Sequence, residues 1–181
     1  MEKRIEHIIR KIVLTGAEST GKSTLAKELA HTYNTVYVPE YAREYVEKLE
    51  RPYNYDDIEK IAKKHLENIE FKSKTANQFL FIDTYLIIIK IWFLELYNKC
   101  PEWIEFEIMQ NKIDLYIVCD TDLPWIYDPV RENSGERRKY LMNRYIYELD
   151  NLKYNYIIVS GKRINRIRNA VEAIDSIFNK K

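Results

Sequence analysis

Apolar residues along the chain follow two alternating rhythms. Short, mostly β-branched or aromatic runs occupy 8–14 (interrupted only by Arg10 and Lys11), 35–38, 79–82, 115–119 and 154–159. Runs of this kind, without a polar face, are the pattern of strands buried on both sides of a parallel sheet. Between them apolar residues recur at helical spacing: 23–31, 40–49, a long stretch opening at Asp56 and carrying Ile58, Ile61, Ala62, His65, Leu66 and Ile69, the heavily apolar 84–98, 101–110, a segment ending near Leu149, and 164–178. Such stripes predict amphipathic helices packed on the sheet. Pro39 stops the second strand, and Arg51-Pro-Tyr-Asn-Tyr55 reads as a polar turn before the long helix. His65 lies on or beside an apolar stripe, where packing rather than metal ligation is the simpler role.

The turn after the first strand brings in chemistry. Gly16-Ala-Glu-Ser-Thr-Gly-Lys-Ser23 fits the phosphate-loop pattern Gly, four residues, Gly-Lys-Ser, and it sits between a strand and a helix as that motif requires. Free N–H groups at the helix start, aided by the helix dipole, converge there on an anion. Gly16, Ala17, Glu18, Ser19, Thr20, Gly21, Lys22, Ser23 and Thr24 are therefore the expected nucleotide-binding residues, with Lys22 reaching the β- and γ-phosphates and the Ser23 hydroxyl ligating Mg²⁺. Gly16 and Gly21 allow dihedrals that a Cβ obstructs. The expected fold is α/β: a single P-loop NTPase or kinase domain over 1–181, with a five-stranded parallel sheet flanked by helices.

Acids recur at the carboxyl ends of the strands, the edge at which open α/β sheets bind ligands. Glu40 and Arg43 follow strand two, and Asp83 follows strand three, where a carboxylate can orient Mg²⁺ beside the phosphate-loop serine. Asp120 and Asp122 follow strand four, with Trp125 just beyond, either stacking on a cationic aromatic ring or closing a small local core. The cationic run around 126–140, including Arg131, Arg137, Arg138 and Lys139, suits a lid that closes on the transferring phosphoryl group, or else a solvated face. Arg163, in the turn after the last strand, borders the expected purine site.

Composition narrows the partners. The chain has 181 residues, 46% of them apolar, with 29 basic and 28 acidic side chains giving a net charge of +1. A near-neutral protein is not built to coat nucleic acid. Two cysteines and three scattered histidines have neither disulfide-framework nor zinc-site spacing. No leader or membrane-length apolar run is visible, so the expectation is a cytoplasmic protein acting on a small molecule, with neither nucleic acid nor membrane as partner. No sequence signal points to a particular oligomeric state.

Four blocks carry a resemblance to a known family: Gly16-Ala-Glu-Ser-Thr-Gly-Lys-Ser-Thr24, Val38-Pro-Glu-Tyr-Ala-Arg-Glu44, Phe81-Ile-Asp-Thr84, and Asp120-Thr-Asp-Leu-Pro-Trp125 followed by Asp128 and Arg131. In that order they resemble the ribosylnicotinamide kinase domain of NadR-type proteins. The resemblance implies an enzyme transferring the γ-phosphoryl of ATP to the 5′-hydroxyl of nicotinamide riboside, with ATP and Mg²⁺ as cofactors. It further implies that Lys22, Glu40, Asp83, Arg131 and Arg138 are catalytic and that Ser23 and Asp83 hold the metal. Glu40, Tyr41, Arg43, Asp120, Asp122 and Trp125 would then face the riboside. Either Glu40 or Asp83 accepts the hydroxyl proton; leaving strand two, on the expected acceptor side, Glu40 is favoured. No His-x-Gly-His occurs, so no adenylyltransferase activity is expected. The alternatives are a nucleoside or nucleotide kinase of other specificity and a regulatory P-loop ATPase. Asn111-Lys-Ile-Asp114 spells a guanine-recognition element but precedes strand four instead of following it.

Overall fold

A computed structural model describes residues 8–110, 112–129 and 131–178. Asn111, and Val130 within the basic run, lie outside the described residues. The order of elements is β1 (Arg10–Thr15), α1 (Lys22–Thr32), β2 (Tyr37–Val38), α2 (Tyr41–Glu47), α3 (Tyr55–Ser73), β3 (Phe79–Asp83), α4 (Leu86–Tyr97), α5 (Glu102–Met109), β4 (Leu115–Cys119), α6 (Gly135–Asn151), β5 (Tyr156–Val159) and α7 (Ile164–Phe178). The five strands form one sheet in the order β2-β3-β1-β4-β5, every pair parallel. The expected α/β architecture is what the chain adopts. β2 is half its expected length, because Pro39 and the turn at Asn34 leave only two residues to pair.

Burial follows from the sequence pattern. β3 and β4 are buried at every position, so alternate residues serve opposite faces of the sheet. On one face Val13, Leu80, Ile82, Tyr116 and Val118 pack against α3, α4, α5 and α6; on the other Ile12, Leu14, Phe79, Phe81 and Ile117 pack against α1 and α7. α4 is apolar nearly all round, because it is wedged between α3 and α6. α3 is held at its start by a capping box: Asn54 accepts from the Asp57 N–H while the Asp57 side chain accepts from Asn54 N–H.

Register positions the site. Val38 pairs with Ile82, and Ile82 with Val13, so the chain leaves β2, β3 and β1 at neighbouring points on one edge. Glu40, Asp83 and the Gly16 turn thus come together with no further device. The loop after β4 emerges on the other side of Gly16, and that after β5 one strand farther out.

Candidate active site

The phosphate loop is shaped by its glycines and by hydrogen bonds from within and behind it. Gly16 has φ +137°, and a Cβ there would lie 2.7 Å from the carbonyl oxygen of Cys119 on β4. Gly21 has φ +77° and caps α1 in the left-handed region. The Thr20 hydroxyl donates to Ala17 O at 2.8 Å, and Lys22 Nζ donates to Gly16 O at 3.0 Å and Ala17 O at 2.9 Å, which curls the loop around the ammonium. Arg138 braces it from behind. This buried side chain of α6 donates to Glu18 O and Leu123 O at 2.8 Å and to Ser19 O at 3.0 Å.

A cavity of about 720 Å³ opens from the loop. Its phosphate end is lined by Gly16, the 18–24 segment and Arg131, and its floor by Glu40 and Arg43. Its far end is aromatic, with Tyr53 and Trp92 meeting edge to face at 4.9 Å between ring centroids. The indole N–H of Trp92 donates to Tyr53 Oη at 3.3 Å, and the Tyr53 hydroxyl donates to Glu132 at 3.0 Å. Burial raises the Tyr53 hydroxyl to a pKa of about 12, with the nearby Glu132 charge adding to the shift, so it stays a donor throughout the physiological range. The turn carrying Tyr53 is fixed from below by Asp57. This fully buried carboxylate accepts from Arg51 at 2.6 and 3.0 Å, from Tyr45 at 2.9 Å and from Asn54 N at 2.9 Å. The Arg51 guanidinium beside it holds the Asp57 carboxyl well below the usual carboxylate range.

Asp83 is the anomalous acid of the site. It is 1% exposed, and its Oδ1 has no hydrogen-bond partner among the described residues. Buried polar atoms are almost always paired, so an orphaned carboxylate oxygen calls for an explanation. Burial pushes its pKa up to about 6, the neighbouring Glu40 charge adds to the rise, and Lys22, the Ser23 hydroxyl and the Glu40 backbone oppose it. Beside the Ser23 hydroxyl, this carboxylate has the chemistry and place of a ligand to Mg²⁺ or to its water. The residues present therefore fit the ion. No separate group of three or more His, Cys, Asp or Glu suited to a metal occurs among the described residues.

Of the remaining predicted residues, Arg43 and Arg131 reach the cavity. Arg43 pairs with Asp128 at 2.5 Å and Glu47 at 2.9 Å, and Arg131 donates to Ile126 O at 2.9 Å. Tyr41 lies outside it, on a minor cavity shared with Glu40, His65 and Trp92. His65 is packed as its place on the stripe suggested, buried with Nε2 2.8 Å from Thr84 O. Asp120, Asp122, Trp125, Arg138 and Arg163 do not line the main cavity. Asp122 is bonded to Arg166 and accepts from Gly161 N at 2.6 Å, and Asp120 accepts from Thr121 N at 2.6 Å. Trp125 packs edge-on to Tyr127 at 6.2 Å. Tyr53, Trp92 and Arg166 were missed by sequence reasoning. Trp92 hides in an apolar helix and Tyr53 in a turn; a tryptophan flanking the stripe of α4 was the one available signal.

Comparison with known proteins agrees with this fold. The profile of the AAA_28 family, described as an AAA domain, matches residues 11–166. The chain belongs to this family. This AAA domain is also homologous to NadR. It is 31% identical over 156 residues to the trifunctional NAD biosynthesis/regulator protein NadR of Escherichia coli (strain K12), covering 83% of this chain and 38% of that protein. Against the protein of the same name from Salmonella typhimurium it is 33% identical over 140 residues, covering 75% of this chain and 34% of the relative. The chain thus spans little more than a third of the length of these relatives. Among solved structures, a crystal structure of NadR protein in complex with NR superposes with a TM-score of 0.75 at 22% identity, covering 95% of this chain and 50% of that one. A deoxyadenosine kinase from M. mycoides superposes with a TM-score of 0.63 at 14% identity, over 92% of this chain and 99% of that one. These last two likenesses establish the P-loop kinase fold.

Proposed function

We propose that this AAA domain is an ATP-dependent kinase whose acceptor is the 5′-hydroxyl of nicotinamide riboside, giving nicotinamide mononucleotide. The observation that carries the reading is Asp83: a buried carboxylate with one unpaired oxygen, beside Ser23 and Glu40, both of which line a cavity with an aromatic far end. Homology to a NAD biosynthesis protein supports the same acceptor.

On this reading the loop amides and Lys22 hold the phosphates. Ser23 and Asp83 hold Mg²⁺, which when bound neutralises charge on the transferring phosphoryl group. Glu40, on the cavity floor, accepts the proton of the acceptor hydroxyl, while Arg43 and Asp128 fix the ribose side. Trp92 and Tyr53 receive the base ring, with Glu132 close to its positive charge. Arg131 contributes positive charge at the phosphate end. Asp120, Asp122 and Trp125, which the resemblance set against the riboside, act in this reading as scaffold beside the loop.

A coupled ADP-release assay with Mg·ATP and a panel of ribosides tests this. Nicotinamide riboside is expected to be the best acceptor, uridine and cytidine poor ones. The aromatic end also suits neutral bases, so a nucleoside kinase is the second reading. Efficient turnover of a neutral nucleoside with none of nicotinamide riboside would establish it, and ADP release independent of every acceptor would make the protein an ATPase.

A further inference from the structure

Glu18 occupies one of the four variable positions of the phosphate loop. Its side chain has no part in the motif, since the backbone amides and Lys22 bind the anion. A carboxylate next to a polyphosphate is unfavourable unless its charge is engaged elsewhere. Here it is. Glu18 accepts from the backbone N–H of Glu132 at 3.2 Å, the backbone N–H of Asn133 at 3.0 Å and the Asn133 side-chain amide at 2.8 Å. The next residue repeats the connection, because the Ser19 hydroxyl accepts from Ile126 N at 3.2 Å.

These contacts bracket Arg131. Its guanidinium donates to Ile126 O at 2.9 Å and lines the phosphate end of the cavity, so its ends are tied to the loop through Ser19 on one side and Glu18 on the other. The opposite flank of the segment is held from the acceptor side, through Glu132 to Tyr53 and Asp128 to Arg43. Glu18 is where the nucleotide-binding loop takes hold of the segment that roofs the acceptor.

We propose that Glu18 is a positioning residue: its carboxylate latches residues 132–133 to the phosphate loop, sets Arg131 over the transferring group and keeps water out of the cavity. The role rests on the kinase reading, while the latch itself does not. A latch of this sort couples the two substrates, because a shift of the loop on nucleotide binding is passed to the roof over the acceptor. It also limits transfer to water, the failure that closure prevents in kinases.

The test uses the whole chain with Mg·ATP and three variants, Glu18→Ala, Glu18→Gln and Asn133→Ala. Amide hydrogen exchange over 126–134 is measured with and without the non-hydrolysable analogue AMP-PNP, and acceptor-independent ATP hydrolysis is compared with transfer. In Glu18→Ala, exchange at 132 and 133 is expected to speed up at least about ten-fold as these amides lose their acceptor. Transfer is expected to fall by about ten- to a hundred-fold through misplacement of Arg131. ATP affinity should change by less than about three-fold, since the loop amides remain. The ratio of hydrolysis to transfer should rise several-fold. Glu18→Gln, which keeps one acceptor oxygen, and Asn133→Ala, which removes one donor, should fall between wild type and Glu18→Ala, and they carry the test if Glu18→Ala does not fold. Unchanged exchange at 132 and 133, or a joint fall of transfer and melting temperature with the hydrolysis ratio constant, overturns the proposal. If exchange responds to Glu18→Ala while the wild type phosphorylates no riboside, the latch stands and the acceptor reading fails.

Discussion

The two sides of the phosphate loop carry similar residues and treat them in opposite ways. On the β4 and β5 side, Asp122 is tied to Arg166 and to Gly161 N, and Arg166 also donates to Gly161 O at 2.8 Å and Val159 O at 3.2 Å. The charges of Asp122 and Arg166 are spent on joining two loops. On the β2 and β3 side, Asp83 is more deeply buried than Asp122 and yet keeps an unpaired oxygen, and a tryptophan opens onto the cavity. Both acids stand at a strand's carboxyl edge; on the proposed reading only the second takes part in the chemistry. An acid at a strand's carboxyl edge becomes a site residue when the fold declines to satisfy it.

The largest effect expected from breaking this contrast is at Lys22. Lys22→Ala should lower the rate of transfer by about a hundred- to a thousand-fold or more, because charge stabilisation supplies most of phosphoryl-transfer catalysis. Steady-state kinetics check it, and unchanged turnover ends the kinase reading.

Asp83→Asn should remove most activity and abolish the normal Mg²⁺ dependence while making the protein more stable. The sign follows from the pKa. A carboxyl raised in the folded state favours the protonated form, so its stability contribution is present below the unfolded value and lost as pH rises through about 6. At pH 8 the ionised carboxylate thus costs on the order of 2–3 kcal/mol for a shift from 3.8 to about 6. Removing the charge should raise the melting temperature by several degrees, at roughly 2–4 °C per kcal/mol for a chain of this size. By the same titration, Mg²⁺ binding to the metal-free protein should weaken as pH drops through about 6, where Asp83 takes up a proton. Glu40→Gln should lower turnover without altering Mg²⁺ dependence; if it is silent and Asp83→Asn leaves Mg²⁺ dependence normal, the two acids exchange roles.

The tryptophans give a narrower comparison. Trp92→Leu should raise KM for nicotinamide riboside by about two- to thirty-fold, the equivalent of a cation–π contribution of roughly 0.5–2 kcal/mol, and leave KM for ATP unchanged. Trp125→Leu should lower the melting temperature with little effect on either KM. The reverse pattern would move the acceptor to the β4 side of the loop.

Smallest in its effect on catalysis is Asp122→Ala, which takes from the buried Arg166 guanidinium its carboxylate partner and leaves it backbone carbonyls alone. It should cost about 1–3 kcal/mol of stability, visible in urea unfolding, with transfer at saturating substrates near normal. A specific loss of acceptor binding would return Asp122 to the site.

Nearly all of the fold was legible in the chain, and the reason is local. Strand and helix periods, Pro39, and the Gly16-to-Ser23 turn are properties of neighbouring residues, and once a phosphate loop follows the first strand, parallel pairing brings the ends of β2 and β3 beside it. Hence the loop, Glu40, Arg43 and Asp83 could be named from sequence. The pairing of acids could not. Asp83 and Asp122 look alike as residues after strands, and their difference lies in a partner 44 positions away for Asp122 and none for Asp83 Oδ1. Trp92 became a cavity wall only because α4 packs beneath the turn bearing Tyr53, and Glu18 became a latch only because the segment after β4 folds back over the loop. The sequence by itself determined which groups stand at the ligand-binding edge of the sheet. Tertiary structure alone decided which of them are satisfied, since solvation and hydrogen bonding depend on residues distant in the chain.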